Sequence, residues 1–332
     1  MTTDTLDGQS LLIAGETSPG AGEDSYTART DSEGGLLCVA DGCGGIGSRR
    51  YEKMEKHTGA YLASRLGVEC VCAWARAMDG KPFPCSPDEA AQWAAELGAL
   101  LKARFVSFQA DHASQQGSRI VVSMQRALPT TLCLALLDAR ARADLHCLFL
   151  WAGDSRGYVL DASGLRQCTA DHVAGRTDAM ENLYHESRLS NFVCADRPFE
   201  LESRLVSVAK PCVVLTATDG AFAYLPTPME FELLLLSTLM EAKTLDGWRR
   251  RLQTSITRVA SDDSTLVLSC FGFHTFEQLQ AHYAERRAEL QRIFVTPVRR
   301  RRQSVEFARE RWKEYRLNYE MSGAKDDEDR GV

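Results

Sequence analysis

Short apolar runs that stop on an acid recur along this sequence: LLCVADGCGG ends at Asp41, LFLWAGDSRGY at Asp154 and VVLTATDGAF at Asp219. In ASDDSTLVLS the order is reversed, with Asp262 and Asp263 just before the run. A further acidic pair, Glu23-Asp24 in AGEDSY, precedes another strand-like run. The runs are rich in Val, Leu and Cys, bounded by Gly or Asp, and too short for buried helices. They read as strands. The acids then fall at strand ends.

The spacing predicts strands over Ser25–Thr30, Leu36–Ala40, Thr131–Leu137, Leu145–Ala152, Tyr158–Asp161, Val213–Thr218 and Thr265–Phe271. Helical periodicity covers Tyr51–Leu66, Pro87–Ala110, Met229–Glu241 and Leu245–Val259. Ser86-Pro87-Asp88-Glu89 is a strong helix start, with a Ser cap, Pro at the first position and acids in the first turn. At about 150 residues per domain, 332 residues suggest two domains. The order of elements instead favours one large α+β domain with a strand core flanked by helices. Residues Arg166–Leu201 are polar and irregular, which predicts a surface flap.

With 44% hydrophobic and 25% charged residues, the chain has the makeup of a globular protein. Its net charge of −6 excludes a global basic field for nucleic acid. No run approaches the roughly 20 apolar residues of a membrane span, and the first ten residues show no secretory pattern. The 11 cysteines are scattered, several within apolar runs, with no paired zinc spacing. These features point to a reducing cytoplasm.

One Asp-Gly after a strand is ordinarily a turn signal. Acids at the ends of five segments are harder to explain that way. If the strands are neighbours, the carboxylates collect at one rim, where they would take up protons or need a cation. An all-oxygen donor set suits hard divalent ions such as Mg²⁺ or Mn²⁺. Glycines beside Asp41 would let a backbone carbonyl approach such an ion. No Walker-type or GxGxxG sequence is present, so a nucleotide-binding reading has no support.

AGEDSY, VADGCGG, LPTTL, AGDSRGYVL with LRQCTADH, LTATDGAF and SDDSTLVL, in that order, resemble the motif series of the metal-dependent type 2C (PPM) Ser/Thr protein phosphatases. The resemblance spans Leu11 to Phe273. It implies a four-layer α/β/β/α sandwich with two central antiparallel sheets, followed here by a helical C-terminal extension. It also implies two Mn²⁺ or Mg²⁺ ions and hydrolysis of phosphoserine and phosphothreonine proteins by metal-activated water, opposing a Ser/Thr kinase. By motif, Asp41 would bridge the metals and Gly42 would offer its carbonyl. Asp219 and Asp262 would ligate the first metal and Glu23 the second, so that Asp41, Asp219 and Asp262 are the catalytic acids. Asp24 and Asp263 would stand behind the ligands, and Asp154 would match an acid of a third, weaker metal. Asp262 is preferred over Asp263 because the family reads Asp-Asn-x-Thr there.

The sequence departs from that pattern at several positions. Pro19 stands where the family places a phosphate-gripping Arg, and Pro has no fork for phosphate oxygens. Arg49 and Arg50 are the nearest replacements; their bland reading is solvated surface charge. Cys43 replaces a His of eukaryotic members, as in bacterial ones. Ala223 replaces an Asp that supports the third metal, which weighs against that metal, and Pro129 replaces a usual Gly. His172 fits a flap position as a structural or a catalytic group. Pro19 and Ala223 leave open an alternative, an inactive pseudophosphatase serving as a phosphoprotein- or partner-binding module.

The expected organisation is a catalytic domain over 1–273, a charged helical extension over 274–322 and a disordered tail over 323–332. Between Arg286 and Arg316 there are 11 basic and 4 acidic residues, including the run Arg299–Arg302. Such helices either lay Phe294, Phe307, Trp312 and Tyr315 on the domain or dock a partner protein. Nucleic acid and membrane surfaces are the weaker expectations.

Overall fold

The computed structural model describes residues 5–112, 125–175, 178–184, 188–301 and 304–321. Ten strands form two five-stranded sheets, all of whose pairings are antiparallel. The first has the order β1 (Ser10–Gly15), β10 (Ser264–Phe271), β9 (Cys212–Ala217), β6 (Arg156–Asp161), β7 (Gly164–Gln167). The second runs β2 (Ser25–Asp31), β3 (Gly34–Ala40), β4 (Leu132–Asp138), β5 (Asp144–Ala152), β8 (Glu202–Ala209).

Period-two alternation sends β3 residues to both sides. Leu37 and Val39 face the inter-sheet core with Cys133, Phe149, Trp151, Val214 and Val267. Leu36, Cys38 and Ala40 face outward under α1 (Gly59–Met78) and α2 (Pro87–His112). On the other side Ile13, Leu215, Leu266 and Leu268 lie under α4 (Pro228–Glu241) and α5 (Leu245–Thr257). The four-layer α/β/β/α sandwich expected from the motif series is the observed architecture. Among the described residues no helix is long and apolar enough to cross a membrane.

The central strands fall within two residues of their predicted bounds, and three edge strands were not predicted. Of these, β1 and β8 are only half-buried along much of their length, and β7 is four residues long. None shows the continuous apolar run that marks the centre of the sheets. The helix predicted over Tyr51–Leu66 begins instead at Gly59, because Thr58 caps it by accepting from the Tyr61 N–H. Residues 51–58 fold back on themselves, with the Tyr51 N–H donating to the His57 carbonyl. The helix continues to Met78 through Leu66, Val68, Val71 and Trp74, buried positions whose packing overrides the weak helix preference of Val.

The predicted flap begins as the end of β7 and then runs irregularly past a short helix, α3 (Glu181–Tyr184). It is pinned by a buried ion pair. Arg156 Nη2 lies 2.6 Å from Asp171, whose carboxylate also accepts from Asn182.

The C-terminal extension comprises α6 (Phe276–Glu289), a π-helical turn (Leu290–Val295), α7 (Thr296–Arg300) and α8 (Val305–Tyr319). Its Leu279, Tyr283, Phe294, Trp312 and Tyr315 complete the same hydrophobic cluster as α4 and α5, with Phe307 partly buried against it. Two acids on α4 hold it. Glu232 is fully buried and accepts from Arg286 at 2.7 and 3.0 Å and from the Tyr315 hydroxyl. Glu230 pairs with Arg299 at 2.8 Å. The tail expected to be disordered, 323–332, lies outside the described residues.

Removing one partner of a buried pair leaves an uncompensated charge. Arg286→Met should therefore lower unfolding free energy by about 3–5 kcal/mol in urea titrations. The double variant Glu232→Leu/Arg286→Met should regain a good part of that loss.

Candidate metal centre

The sheet registers bring the acidic segments together. Asp41 follows the last residue of β3, and its carbonyl accepts from the Thr131 N–H (2.8 Å) and the Thr130 hydroxyl (2.7 Å) at the start of β4. Thr131 Oγ1 also lies 2.7 Å from Ser155 Oγ, beside Asp154. On the other sheet, Thr218 at the end of β9 donates from its hydroxyl to Asp24 (2.9 Å) and accepts from the Thr265 N–H of β10 (2.8 Å). Two threonines thus tie carboxylate-bearing strand ends across the rim.

The Glu23 loop is held by Asp263. Its two carboxylate oxygens accept from the backbone N–H groups of Thr17 (2.8 Å) and Glu23 (2.6 Å). Asp262 beside it is exposed. The Gly42 N–H donates to the Glu23 carbonyl at 3.2 Å, and the Thr58 hydroxyl donates to the Glu23 carboxylate. A Cβ at Gly44 would fall 2.1 Å from Glu23 Oε2, so only glycine lets this carboxylate sit against the loop after Asp41.

Asp24, Asp41, Asp154 and Asp219 are half-buried and mutually repulsive. Burial, then repulsion from Asp24, Asp219, Asp154 and Asp262, raises Asp41 well above the usual carboxylate range. Burial with Asp219 and Asp171 nearby raises Asp154 to about 8. The same causes raise Asp24 to about 7, with Asp219 and Asp263 as its acidic neighbours. Asp219 is raised to about 6 by burial and Asp262, against an opposing pull from Arg156. Glu23 is also raised by burial, partly offset by its bond to Thr58.

Cys43 borders this cluster. Burial, then the charges of Asp41, Asp154 and Asp219, push its thiol up, so it stays protonated and the local donor set remains oxygen. His172 takes the structural alternative: its Nδ1 accepts from the Gly153 N–H at 3.1 Å and its Nε2 lies 3.1 Å from Glu202. Arg50 Nη1 donates to the Lys56 carbonyl at 2.8 Å, and its charge favours ionised Glu23. Arg49 lies over the Tyr51 ring, 5.7 Å from its centroid. Pro19 lines a 420 Å³ cavity beside Asp24 together with Glu16, Gly22 and Thr265.

Sequence reasoning missed four supporting groups. Thr58 and Thr218 position acids, and Arg156 is the buried cation behind Asp154 and Asp219. Arg65 on α1 donates to the Gly22 carbonyl at 3.0 Å, next to Glu23. The Arg156 and Asp171 letters stand inside quoted motifs, but their pairing across 15 residues carries no sequence signal. Thr58 was hidden by the misplaced helix start.

Among the described residues no group of three or more His, Cys, Asp or Glu side chains stands close enough together, as oriented, to hold an ion. The donor chemistry nevertheless fits hard divalent cations. The acids are oxygen donors crowded without compensation, and Asp24 Oδ1 is buried with no hydrogen-bond partner.

No protein-family model matches the sequence, and no curated protein matches it. Solved structures do match its fold. The Mycobacterium tuberculosis serine/threonine phosphatase PstP/Ppp aligns with a TM-score of 0.53 at 20% identity, covering 79% of this chain and 98% of that one. PppA, a key regulatory component of T6SS in Pseudomonas aeruginosa, aligns at 0.53 and 21% identity, covering 80% and 99%. The PPM Ser-Thr phosphatase MsPP from Mycobacterium smegmatis, in complex with cacodylate, aligns at 0.54 and 16% identity, covering 80% and 100%. This chain has the PPM phosphatase fold. In the PPM fold of this chain, the acidic rim lies where β3, β6, β9 and β10 meet the loops before β2 and after β5.

The raised carboxyl groups set a pH dependence. Asp24, Asp154 and Asp219 ionise near pH 4 when unfolded and at about 7, 8 and 6 when folded. The folded state binds more protons across that window, so chelated protein should lose stability as pH rises from about 4 to 8. Added Mn²⁺ should raise the Tm more at pH 8 than at pH 5, since it competes with those protons. Differential scanning fluorimetry in EDTA and in Mn²⁺ reads both slopes.

Proposed function

We propose that this protein is a Mn²⁺/Mg²⁺-dependent cytoplasmic phosphatase that hydrolyses phosphoserine and phosphothreonine on proteins, opposing a Ser/Thr kinase. The observation that carries this reading is the gathering of Glu23, Asp24, Asp41, Asp154, Asp219 and Asp262 at one rim of a PPM fold. Asp41 faces the acids of both sheets, which suits the bridging ligand between two ions. Gly42 would add its carbonyl, Asp219 and Asp262 would hold one ion, and Glu23 the other. Two divalent ions there would supply Lewis-acid activation of water and charge neutralisation at phosphorus.

The chain's own residues would do the positioning. Asp263 has both oxygens committed to the Glu23 loop, which supports Asp262 as the ligand and Asp263 as the group that orients it. Asp24 would stand behind the ligands, held by Thr218. Asp154 is present for a third ion, while Ala223 offers no carboxylate to support one. Arg50, whose charge reaches Glu23, is a better candidate than Arg49 to replace the phosphate contact that Pro19 lacks. Among the described residues no guanidinium lines the Pro19 cavity, although Arg65 holds its Gly22 wall, and that favours the second reading, an inactive phosphoprotein-binding module.

Hydrolysis of an aryl phosphate and a phosphothreonine peptide with Mn²⁺ separates the two readings. Asp41→Asn and Asp219→Asn should each lower kcat/KM by at least about 100-fold, or about 2.7 kcal/mol of transition-state stabilisation. Activity that survives either substitution, or chelation, contradicts the metal mechanism. Tight Mn²⁺ binding without turnover would establish the binding module instead. Arg50→Ala should cost about tenfold in kcat/KM on both substrates, and no change would return Arg50 to the solvated surface.

A further inference from the structure

A second concave surface lies on the helical side of the molecule, walled by α4, α5 and the C-terminal helices, with a volume of 1280 Å³. That exceeds the range of roughly 300–1,000 Å³ typical of small-molecule sites. Its walls follow helical periodicity. Leu233, Leu234, Ser237 and Glu241 line it from α4, and Arg250, Arg251 and Thr254 from α5, with Arg258 just past its end. The extension closes the third side with Arg287, Gln291 and Arg299.

Six basic side chains, Lys243, Arg250, Arg251, Arg258, Arg287 and Arg299, face two acids, Glu230 and Glu241. Those acids are already taken, Glu241 by Arg251 at 3.0 Å and Glu230 by Arg299 at 2.8 Å. Arg250 reaches an exposed pair with Asp246. Among the described residues, no ion pair or side-chain hydrogen bond engages Lys243, Arg258 or Arg287. Arg287 Nε is moreover out of contact with water and has no partner.

We infer that this groove binds an acidic segment of a partner protein, with carboxylates on Lys243, Arg258 and Arg287 and apolar side chains on the Leu233–Leu234 floor. The mixed lining favours a peptide over a polyphosphate backbone, which would leave the leucines unused. The concave, three-walled shape is unlike the flat surface a lipid bilayer needs. The inference needs no metal and no turnover, so it stands or falls apart from the phosphatase reading.

Fluorescence anisotropy of the full chain with a labelled peptide of roughly twelve residues, Glu interspersed with Leu, tests it. Binding should exceed that of a Lys/Leu peptide of equal length and fall with added salt. The triple variant Lys243→Glu/Arg258→Glu/Arg287→Glu should weaken it by about tenfold or more. Neutral Arg287→Gln should give a smaller loss. These residues make no ion pairs, so the melting temperature and aryl phosphate turnover of the variants should stay as in the parent. Equal binding by the triple variant would overturn the proposal. So would tighter, equally charge-sensitive binding of a single-stranded oligonucleotide or of phosphatidylserine vesicles.

Discussion

Carboxylates crowded at one end of a β-sandwich repel one another and lose hydration, and the surrounding structure is disposed to hold them there regardless. The ladders fix where each strand ends, with Ala217 opposite both Arg156 and Leu266. Thr131 and Thr218 then tie strand ends of the two sheets together, through Ser155 and through the Asp24 carboxylate. Among the described residues the deeply buried cation nearby, Arg156, is committed to Asp171 at 2.6 Å and to the Ala179 carbonyl. It therefore orders the segment after β7 and offsets the cluster only in part. Protons taken up by the raised carboxyl groups reduce the remaining charge.

The parts of this arrangement legible in sequence are those written in continuous runs. A central strand covered on both faces has no polar alternation, so LLCVA, LFLWA and VVLTA announce themselves, and the acid that ends each run is placed with them. Edge strands lack that mark. ESRLVSVA alternates because β8 has one face open, and it blends into the polar stretch before it. Long-range partners are harder still. Asp263 and Glu23 meet across 240 residues, and nothing local distinguishes an acid that clamps a loop from its exposed neighbour.

The C-terminal helices show the same limit from the other side. Their basic residues read as a solvated face because the partners that matter lie on α4, in a segment, MEFELLLL, whose acids look like ordinary exposed helix positions. Glu232 is instead buried beneath Arg286 and Tyr315. A buried pair of this kind contributes little net stability over an apolar substitute, yet it enforces one arrangement, because any other docking strands a charge. The extension is thereby fixed in register on α4 as well as attached to it.

That register links the two surfaces. Asp219 at the rim is followed within a few residues by Tyr224–Pro226 at the mouth of the basic groove, then by Glu230 and Glu232 under the extension. The intervening turn is short and tightly bonded, with the Phe222 and Ala223 N–H groups both donating to the Asp219 carbonyl. The α4 helix enters directly through the Thr227 cap. An element so continuous has little slack for moving one end without the other. A partner seated between α5 and Arg287 would press on the helix whose N-terminal approach carries Asp219. The extension supplies one wall of the groove and two of the contacts that hold α4, so the groove and the sandwich share that helix.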